Sequence, residues 1–470
     1  MHVNMLIDGE EHKGVEPLDV INPATGRPFA TVAIADEPTV DTALAAARSA
    51  FGKWSNTDIN ERQEMLVKWA DRLEENAEML ASLLTQEQGK PLMEAQTEIA
   101  WSAGYLRHYA TLSPSSETIV DDQNGLVELL RVPLGVVAAI VPWNFPILIA
   151  IWKLAPALLA GNTVVLKTSP TTPIATLSMG HLIAGLLPPG ALNIIADDND
   201  LGGYLTSHPA VAKVAFTGSS ETGRKVMASA ASTLKRLTLE LGGNDAAIVM
   251  SDVDVVATAA KIFQSAFMNC GQVCLAIKRL YVHASIYEEM CEELARLAGE
   301  ARVGNGLAEG VTLGPVHNRA QFDKITELLA KARSEGRVIS GGTAIEADGF
   351  FVQPTIIRDV SNGDSIVDLE QFGPILPVIR FEDESEALAK ANEGDMGLGG
   401  SVWSSDIGKA SALARDMEAG TAWVNQHIAI GPHIPMAGAK SSGIGVEQGQ
   451  PGLDEYTQIK VLNVARGWPD

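Results

Sequence analysis

A thiol lies in a glycine-containing turn, Asn269-Cys270-Gly271-Gln272-Val273-Cys274, directly after an apolar run. A cysteine reacts as a nucleophile in its thiolate form, and backbone N–H groups or nearby positive charge lower its pKa. Gly271 lets the backbone pass close to its neighbours, and Lys278 and Arg279 follow the thiol. A free cysteine after a helix is more often an inert small hydrophobic residue. The segment alone therefore indicates a nucleophile at Cys274 without establishing it.

Two upstream motifs carry groups that would complement such a thiol. Leu239-Glu240-Leu241-Gly242-Gly243-Asn244 places a carboxylate at the end of an apolar strand. This carboxylate is either strand-end solvation or a partly desolvated general base. Pro142-Trp143-Asn144-Phe145-Pro146 places an amide between two prolines. Asn144 is either an Asx-turn residue or a donor that stabilises an oxyanion.

These three motifs, in this order, resemble the aldehyde dehydrogenase superfamily. Glu370-Gln371-Phe372-Gly373-Pro374 matches the family's Glu-x-Phe-Gly-Pro. The segment 435–443 resembles its C-terminal signature, with Ala437 in place of a glycine. The motifs that carry the resemblance run in order along the chain, from Pro142 to Gly443.

The resemblance implies oxidation of an aldehyde to its carboxylic acid. Cys274 would add to the carbonyl to form a thiohemiacetal, and Asn144 would hold the oxyanion. Hydride transfer to NAD(P)⁺ would leave a thioester, and Glu240 would activate water to release the acid. Lys153 either relays protons or belongs to a solvated stripe.

The resemblance also implies a nicotinamide cofactor, which we expect to be NAD, with NADP possible. Phe216-Thr217-Gly218-Ser219 matches a cofactor-contacting element and opens a helix, where a pyrophosphate can bind. Lys167 matches the lysine that contacts the adenosine ribose, but Pro170 stands where the family commonly has a glutamate. The implied cofactor contacts are Val141, Pro142, Trp143, Lys167, Ser169, Phe216, Thr217, Gly218, Ser219, Leu241, Gly242, Glu370 and Phe372.

An apolar substrate tunnel is implied in the same way. It has no evident arginine that would bind a carboxylate, which favours an apolar aliphatic or aromatic aldehyde over a semialdehyde acid. The residues expected along it are Phe145, Ile149, Trp152, Met268, Val273 and Leu275.

Other activities remain open at this point. A cofactor-independent cysteine esterase or acyltransferase would need a histidine partner for Cys274. A CoA-acylating relative is disfavoured by retention of Glu240, and a semialdehyde-specific relative by the tunnel. A non-catalytic relative is disfavoured because Cys274, Glu240 and Asn144 are all present.

Composition limits the partners of the chain. Its 470 residues carry a formal net charge of −23, which argues against nucleic acid or an anionic membrane surface. Three cysteines, few and odd in number, suggest a reducing cytoplasm without disulfides. We expect no metal, because no metal-ligand spacing accompanies Cys270 and Cys274. The N-terminus shows no signal peptide.

The pattern of elements predicts an α/β protein. Alternating apolar strands and helices indicate doubly wound parallel sheets that bind ligands at the carboxyl ends of their strands. We expect a Rossmann-like cofactor domain (1–115 and 132–242) and a catalytic thiol domain (243–440). A β arm (116–131 and 454–466) would join subunits into a homodimer or homotetramer.

Overall fold

We describe the protein from a computed structural model, which covers residues 1–466. The strands are β1 (His2–Val3), β2 (Met5–Ile7), β3 (Glu10–His12), β4 (Glu16–Asn22), β5 (Arg27–Ile34), β6 (Glu117–Asp121), β7 (Gly125–Pro133), β8 (Val136–Ile140), β9 (Thr163–Lys167), β10 (Leu192–Ile195), β11 (Val211–Thr217), β12 (Arg236–Glu240), β13 (Asp245–Val249), β14 (Ile277–His283), β15 (Arg337–Ser340), β16 (Thr355–Arg358), β17 (Ile375–Phe381), β18 (Met396–Gly397), β19 (Gly399–Trp403), β20 (Thr421–Val424), β21 (Ala439–Lys440), β22 (Gly443–Ile444) and β23 (Thr457–Ala465).

Four helices follow one another between β5 and β6, and most of the later helices lie between strands. They are α1 (Glu37–Trp54), α2 (Ile59–Glu75), α3 (Ala77–Gln88), α4 (Leu92–Tyr109), α5 (Pro146–Leu159), α6 (Ile174–Ile183), α7 (Gly202–Ser207), α8 (Ser220–Ala230), α9 (Val255–Phe267), α10 (Tyr287–Glu300), α11 (Arg319–Glu335), α12 (Ser365–Asp368), α13 (Glu384–Asn392), α14 (Ile407–Arg415) and α15 (Gly449–Asp454).

The first large sheet has the order β22-β12-β11-β8-β9-β10-β2-β3, and its five central strands are parallel. Both faces of the sheet are buried. Within β8, Val137 and Ala139 pack into one apolar cluster, and Val136 and Ala138 pack into another on the opposite face. A strand covered on both sides reads as a continuous apolar run, as parallel sheets require.

The second large sheet has the order β15-β16-β17-β14-β13-β19-β20 and is parallel except at β15. Its residues alternate between two clusters in the same way, with Ile248 on one face and Val249 on the other. The prediction of two doubly wound α/β sheets is confirmed. The domain boundaries themselves remain a prediction.

A separate three-stranded sheet, β23-β7-β6, forms the predicted arm. The tail strand pairs antiparallel with β7 along its whole length, from Thr457 opposite Pro133 to Ala465 opposite Gly125. Within residues 1–466, no helix is both long and apolar enough to cross a membrane.

One local expectation was wrong. The sequence predicts a helix over 173–187 capped by Thr171 or Thr172, but α6 ends at Ile183 and neither threonine caps it. The carboxylate of Glu87 instead accepts hydrogen bonds from Ile174 N and Ala175 N, at 2.8 and 3.0 Å. A distant buried acid on α3 thus satisfies the first N–H groups of this helix, which sequence proximity could not indicate.

Candidate active site

The carboxyl ends of the parallel strands in the first sheet meet at one edge, as parallel pairing dictates. Lys167 is in register with Ile140 and Ile195, and Thr217 is in register with Glu240. A cleft of about 200 Å³ opens at this edge, against the second sheet. Its lining residues are Pro142, Trp143, Asn144, Thr217, Gly218, Ser219, Leu241, Gly242, Cys274, Gln321, Lys324, Glu370 and Phe372.

A strained turn delivers the thiol to this cleft. Helix α9 ends at Phe267, and Asn269, Cys270 and Gly271 then take successive positive φ angles of 50°, 58° and 71°. A Cβ at Gly271 would lie 2.2 Å from Gly373 O. Glycine is therefore required, and the close approach predicted for this position is to the chain's own backbone.

The thiol itself is half-buried, and its electrostatic environment differs from expectation. Burial, together with the carboxylates of Asp245, Glu240 and Glu370, raises the pKa of Cys274 to about 12. Lys278 alone lowers it, so the expected net lowering of the pKa was wrong for the ligand-free chain. Desolvation outweighs the single neighbouring cation.

Lys278 is held against the backbone of the thiol turn. Its Nζ is buried and donates to Val273 O at 2.8 Å and to Cys274 O at 2.6 Å. Nζ also lies 3.7 Å from Glu370 Oε1. A single buried cation thus joins the thiol turn to the segment that carries Glu370.

Asn144 is fixed from three sides beside the thiol. Lys90 Nζ and Asn269 Nδ2 donate to the backbone carbonyl oxygen of Asn144 at 2.8 and 3.1 Å. The side-chain Nδ2 of Asn144 donates to Gln272 O at 3.0 Å. An amide nitrogen carries two N–H groups, so one remains for an oxyanion. The Asx-turn alternative does not account for this arrangement, because the amide contacts the thiol turn 128 residues away.

Glu240 lies in a buried acid cluster behind the thiol. Neither carboxylate oxygen of Glu240 has a hydrogen-bond partner among the described residues. Burial first, and then the charge of Glu447, raise the pKa of Glu240 well above its usual value, while Lys153 lowers it. A carboxyl with a raised pKa suits general acid–base work at neutral pH.

Lys153 is fully buried, so the solvated-stripe alternative was wrong. Its Nζ lies 2.5 Å from Glu447 Oε1, and Glu447 is itself buried. No sequence pattern indicated Glu447, because a glutamate in a loop before a short helix has no distinguishing pattern. The Lys153–Glu447 pair is the only charged contact that we find to modulate Glu240 within residues 1–466.

The segment with Glu370 and Phe372 is clamped by α11, which the sequence did not reveal. Gln321 Nε2 donates to Phe372 O at 2.8 Å, and Lys324 Nζ donates to Glu370 O at 2.9 Å. Gly243 N donates to Glu370 Oε1 at 3.1 Å. Gln321 and Lys324 lie on an ordinary amphipathic helix, and no sequence signal distinguishes them.

The glycines after Glu240 lie close to other groups of the chain. A Cβ at Gly242 would lie 2.5 Å from Glu370 Oε2, and a Cβ at Gly243 would lie 2.6 Å from Cys274 O. The sequence predicts that these glycines leave room for cofactor or substrate; Gly242 lines the cleft, and that role stays a prediction.

Comparison with known proteins places this arrangement in a family. The model of the aldehyde dehydrogenase family matches residues 10–462. The chain is 39% identical to phenylacetaldehyde dehydrogenase of Pseudomonas fluorescens, covering 98% of this chain and 95% of that one. The chain belongs to the aldehyde dehydrogenase family. The prediction of an aldehyde-oxidising enzyme is thereby confirmed.

Solved structures of relatives share the fold across almost the whole chain. The NAD⁺ complex of an aldehyde dehydrogenase from Bacillus cereus has a TM-score of 0.97 at 34% identity, covering 99% of this chain and 97% of that one. An NADP-dependent enzyme from E. coli has a TM-score of 0.96 at 35% identity, covering 99% and 98%. The prediction of a nicotinamide cofactor is confirmed for the family. Of these two relatives, which have similar sequence identity to this chain, one is described with NAD⁺ and the other as NADP-dependent.

The cleft offers hydrogen-bond donors that suit such a cofactor. Ser219 caps α8 by accepting from Thr222 N at 3.2 Å, which leaves other first-turn N–H groups of this aldehyde dehydrogenase able to bind an anion. Of the predicted contacts, Val141, Lys167, Ser169 and Phe216 do not line the cleft. Phe216 packs beneath Gly218, where a Cβ would lie 2.5 Å from its ring.

A second, apolar pocket lies on the other side of Phe145. Two of the predicted tunnel residues, Phe145 and Met268, line it, whereas Ile149, Trp152, Val273 and Leu275 belong to the buried core behind it. Ile428, Ala429 and Ile430 pack against the same core and were not predicted. The lining residues of this pocket are Met93, Glu94, Thr97, Trp101, Phe145, Phe263, Gln264, Phe267, Met268, Thr312 and Leu313.

Two remaining alternatives can be compared with the site. Over residues 1–466, no histidine makes a hydrogen bond to Cys274; His427 instead contacts Leu275 O and Ser401 Oγ, each at 2.9 Å. This argues against a histidine-activated esterase.

The second cysteine of the turn, Cys270, is buried, and burial raises the pKa of its thiol. For metal binding, the described part of the chain holds no group of three His, Cys, Asp or Glu residues suited to a metal ion.

Proposed function

We propose that this enzyme oxidises apolar aliphatic or aromatic aldehydes, with Cys274 as nucleophile, Asn144 as oxyanion donor and Glu240 as general base. The observation that carries the proposal is that Cys274 and Asn144 face one cleft, while Phe145, next to Asn144, lines the apolar pocket. An aldehyde entering through that pocket would meet the thiol across from the cofactor cleft.

Each step is assigned to a group of this chain. The half-buried thiol must lose its proton before attack, and Glu240 is the nearby acceptor, whose pKa is raised by burial. The free N–H of Asn144 would stabilise the oxyanion of the thiohemiacetal, an interaction worth roughly 3 kcal/mol in such sites. When bound, the nicotinamide supplies the acceptor for the hydride. Glu240 would then activate water against the thioester.

The pair Lys153–Glu447 would carry the proton away from Glu240. Glu447 Oε2 has no hydrogen-bond partner among the described residues, so it can accept a proton or a water. Both side chains are buried, so protons leaving Glu240 would pass through them without exposing the thioester to bulk water.

The lining of the pocket supports an apolar substrate. No lysine or arginine is among its described lining residues, so a semialdehyde carboxylate would lack a partner. Its one carboxyl, Glu94, has a pKa raised to about 7 by burial and accepts a hydrogen bond from Asn269 N. The relative from Pseudomonas fluorescens is named for an aromatic aldehyde, which agrees with this substrate class.

We also propose that the arm sheet β23-β7-β6 joins subunits into a homodimer or homotetramer, and that the enzyme works in the cytoplasm. The tail strand of this sheet, β23, exposes the apolar residues Ile459, Val461, Leu462 and Val464. Exposed apolar patches of this kind mark interaction surfaces. The three cysteines are free thiols, which suits a reducing compartment. The domain boundaries 1–115 with 132–242, 243–440, and 116–131 with 454–466 complete the proposal.

A panel of aldehydes tests the function. Phenylacetaldehyde, benzaldehyde, hexanal and succinic semialdehyde are each supplied with NAD⁺, and formation of the reduced cofactor is followed by absorbance. We expect kcat/KM to be highest for the apolar aldehydes, and Cys274→Ser to abolish turnover while Cys270→Ser retains it. A preference for succinic semialdehyde would overturn the substrate class, and turnover by Cys274→Ser would overturn the mechanism.

A further inference from the structure

A buried ion pair lies at the carboxyl edge of the first sheet, beside the cofactor cleft. Lys167 Nζ is 2.5 Å from Asp197 Oδ1, and the two side chains are 4% and 0% exposed. Lys167 ends β9, and Asp197 follows β10 by two residues. The sequence analysis identified Lys167 but not Asp197, which lies in the acidic run Asp197-Asp198-Asn199-Asp200.

The pair is connected to the cleft through the backbone of neighbouring strands. Val141 N donates to Lys167 O at 3.2 Å, and Pro142 and Trp143, which line the cleft, follow directly. On the other side, the start of α7 covers the lysine, since a Cβ at Gly202 would lie 4.0 Å from Lys167 Cε. Lys167 is therefore confined at the edge of the cleft.

Asp197 forms an ion pair with Lys167, and a backbone N–H group fixes the position of Asp197. Its Oδ2 accepts a hydrogen bond from Leu201 N at 3.0 Å. Its Oδ1 makes the ion pair but accepts no well-aligned hydrogen bond from a described residue. Besides Asp197, Lys167 Nζ contacts Thr168 O at 3.4 Å, and an ammonium carries three N–H donors. One donor thus remains for a neutral hydroxyl.

We propose that Asp197 is a specificity-determining residue that makes this enzyme select an adenosine ribose with a free 2′-hydroxyl and reject a 2′-phosphate. The inference rests on the proposed function and on the role that the family resemblance implies for Lys167, a contact to the adenosine ribose at the carboxyl edge of the parallel strands. The family commonly has a glutamate at the position of Pro170, and proline has no carboxylate. Asp197, on the loop after β10, supplies a carboxylate in its place. Relatives at 34% and 35% identity include both an NAD⁺ complex and an NADP-dependent enzyme, so overall similarity does not decide this choice.

The physical reason is charge neutralisation at low dielectric. A 2′-phosphate would need the cation of Lys167, but that cation is already paired inside the protein. Recruiting it would leave Asp197 buried and unpaired, which is strongly unfavourable, and the phosphate would also meet a carboxylate of like charge. A hydroxyl needs only one N–H donor and disturbs neither group.

Binding of two fragments without the nicotinamide ring tests the inference independently of turnover. ADP-ribose and 2′-phospho-ADP-ribose are titrated into the full chain by calorimetry. We expect wild type to bind ADP-ribose at least about tenfold more tightly than its 2′-phosphate. In Asp197→Asn, which keeps an oxygen for Leu201 N, we expect the ratio to fall by about tenfold through tighter binding of the phosphate. The matched control is Asp198→Asn on the same loop, where the exposed charge should change the ratio less than about twofold.

The outcomes separate the two claims. Equal affinity of wild type for both fragments, or an unchanged ratio in Asp197→Asn, would overturn the role of Asp197 and leave the proposed function standing. Failure of both fragments to bind wild type would overturn the assignment of this edge to the cofactor as well. Should Asp197→Asn fold poorly, as judged by its thermal midpoint, Asp197→Ser provides the same comparison with a smaller side chain.

Discussion

At Cys274, three carboxylates and burial oppose ionisation of the thiol, and one buried lysine favours it. Lys278 is therefore the group that stabilises the thiolate, while Glu240 is proposed to accept its proton. Its Nζ is held by the carbonyls of Val273 and Cys274, which places a full charge against the backbone of the reactive residue.

Lys278→Met removes that charge and keeps most of the side-chain volume. We expect the pKa of the Cys274 thiol to rise, because an opposite charge stabilises the thiolate. Alkylation of the ligand-free protein by iodoacetamide near pH 8 should slow by at least about threefold. Lys278→Arg should restore the rate, and Lys261→Met, at an exposed position on α9, should leave it unchanged. An unaltered pH profile of alkylation in Lys278→Met would contradict this role.

Replacement of the two charged neighbours of Glu240 should shift the pH dependence of activity in opposite directions. Glu447 raises the pKa of Glu240 and Lys153 lowers it. A general base works when deprotonated, so activity falls as pH drops through the pKa of Glu240. Glu447→Gln should therefore move the acidic limb of the kcat profile to lower pH, and Lys153→Gln should move it to higher pH. Shifts in the same direction would show that the substitutions act through general damage to the fold.

At the scale of elements, the turn from α9 to the thiol is the strained part of the site. Three residues in succession have positive φ, and the turn approaches Gly373 O so closely that only glycine fits at 271. Strain of this kind persists only where the surrounding structure enforces it, and here Asn269 and Gln272 bond across the turn.

Gly271→Ala should lower the free energy of unfolding by about 2 kcal/mol or more, because the added Cβ meets backbone and the φ angle is unfavourable. Turnover should fall with it, since Cys274 is displaced. The matched control is Gly299→Ala in α10, where a Cβ has open space and should stabilise the helix by about 0.5 to 1 kcal/mol. Urea denaturation measures both, and equal stability of the two variants would refute the account of the turn.

At the scale of the whole molecule, the arm sheet leaves apolar side chains without cover. Ile459 and Val461 are each 56% exposed on β23, on one face of the strand because side chains alternate. A second copy of the chain is the occupant that we propose for this face.

Val461→Asp should therefore reduce the oligomer to smaller species in light scattering at micromolar concentration. Ile407→Asp, at a position 65% exposed on α14, makes the same chemical change elsewhere and should leave the molar mass unaltered. A monomeric wild-type protein, or an oligomer that survives Val461→Asp, would count against the arm as an interface.

Much of the fold could be predicted because it is encoded locally. The sequence predicts a helix over 146–159, and α5 has the same bounds, since proline favours the first turn of a helix and Gly161 follows its end. The sequence also predicts a strand over 163–167, and β9 has the same bounds, because both faces are buried and its three central residues are apolar. The motifs around Asn144, Glu240 and Cys274 indicated the reaction for the same reason, as each carries its chemistry within a few residues.

What only the tertiary structure decided is the state of those groups. Lys278 lowers the pKa of Cys274, and Glu447 raises the pKa of Glu240. Asp197 forms an ion pair with Lys167. Each of these neighbours is brought into place by packing of the folded chain. Charge interactions act through space and strengthen as water is excluded, so a linear pattern of residues cannot express them. The sequence by itself thus predicted which groups react, through its resemblance to a family, and the folded chain determined how each group is held and which charges lie near it.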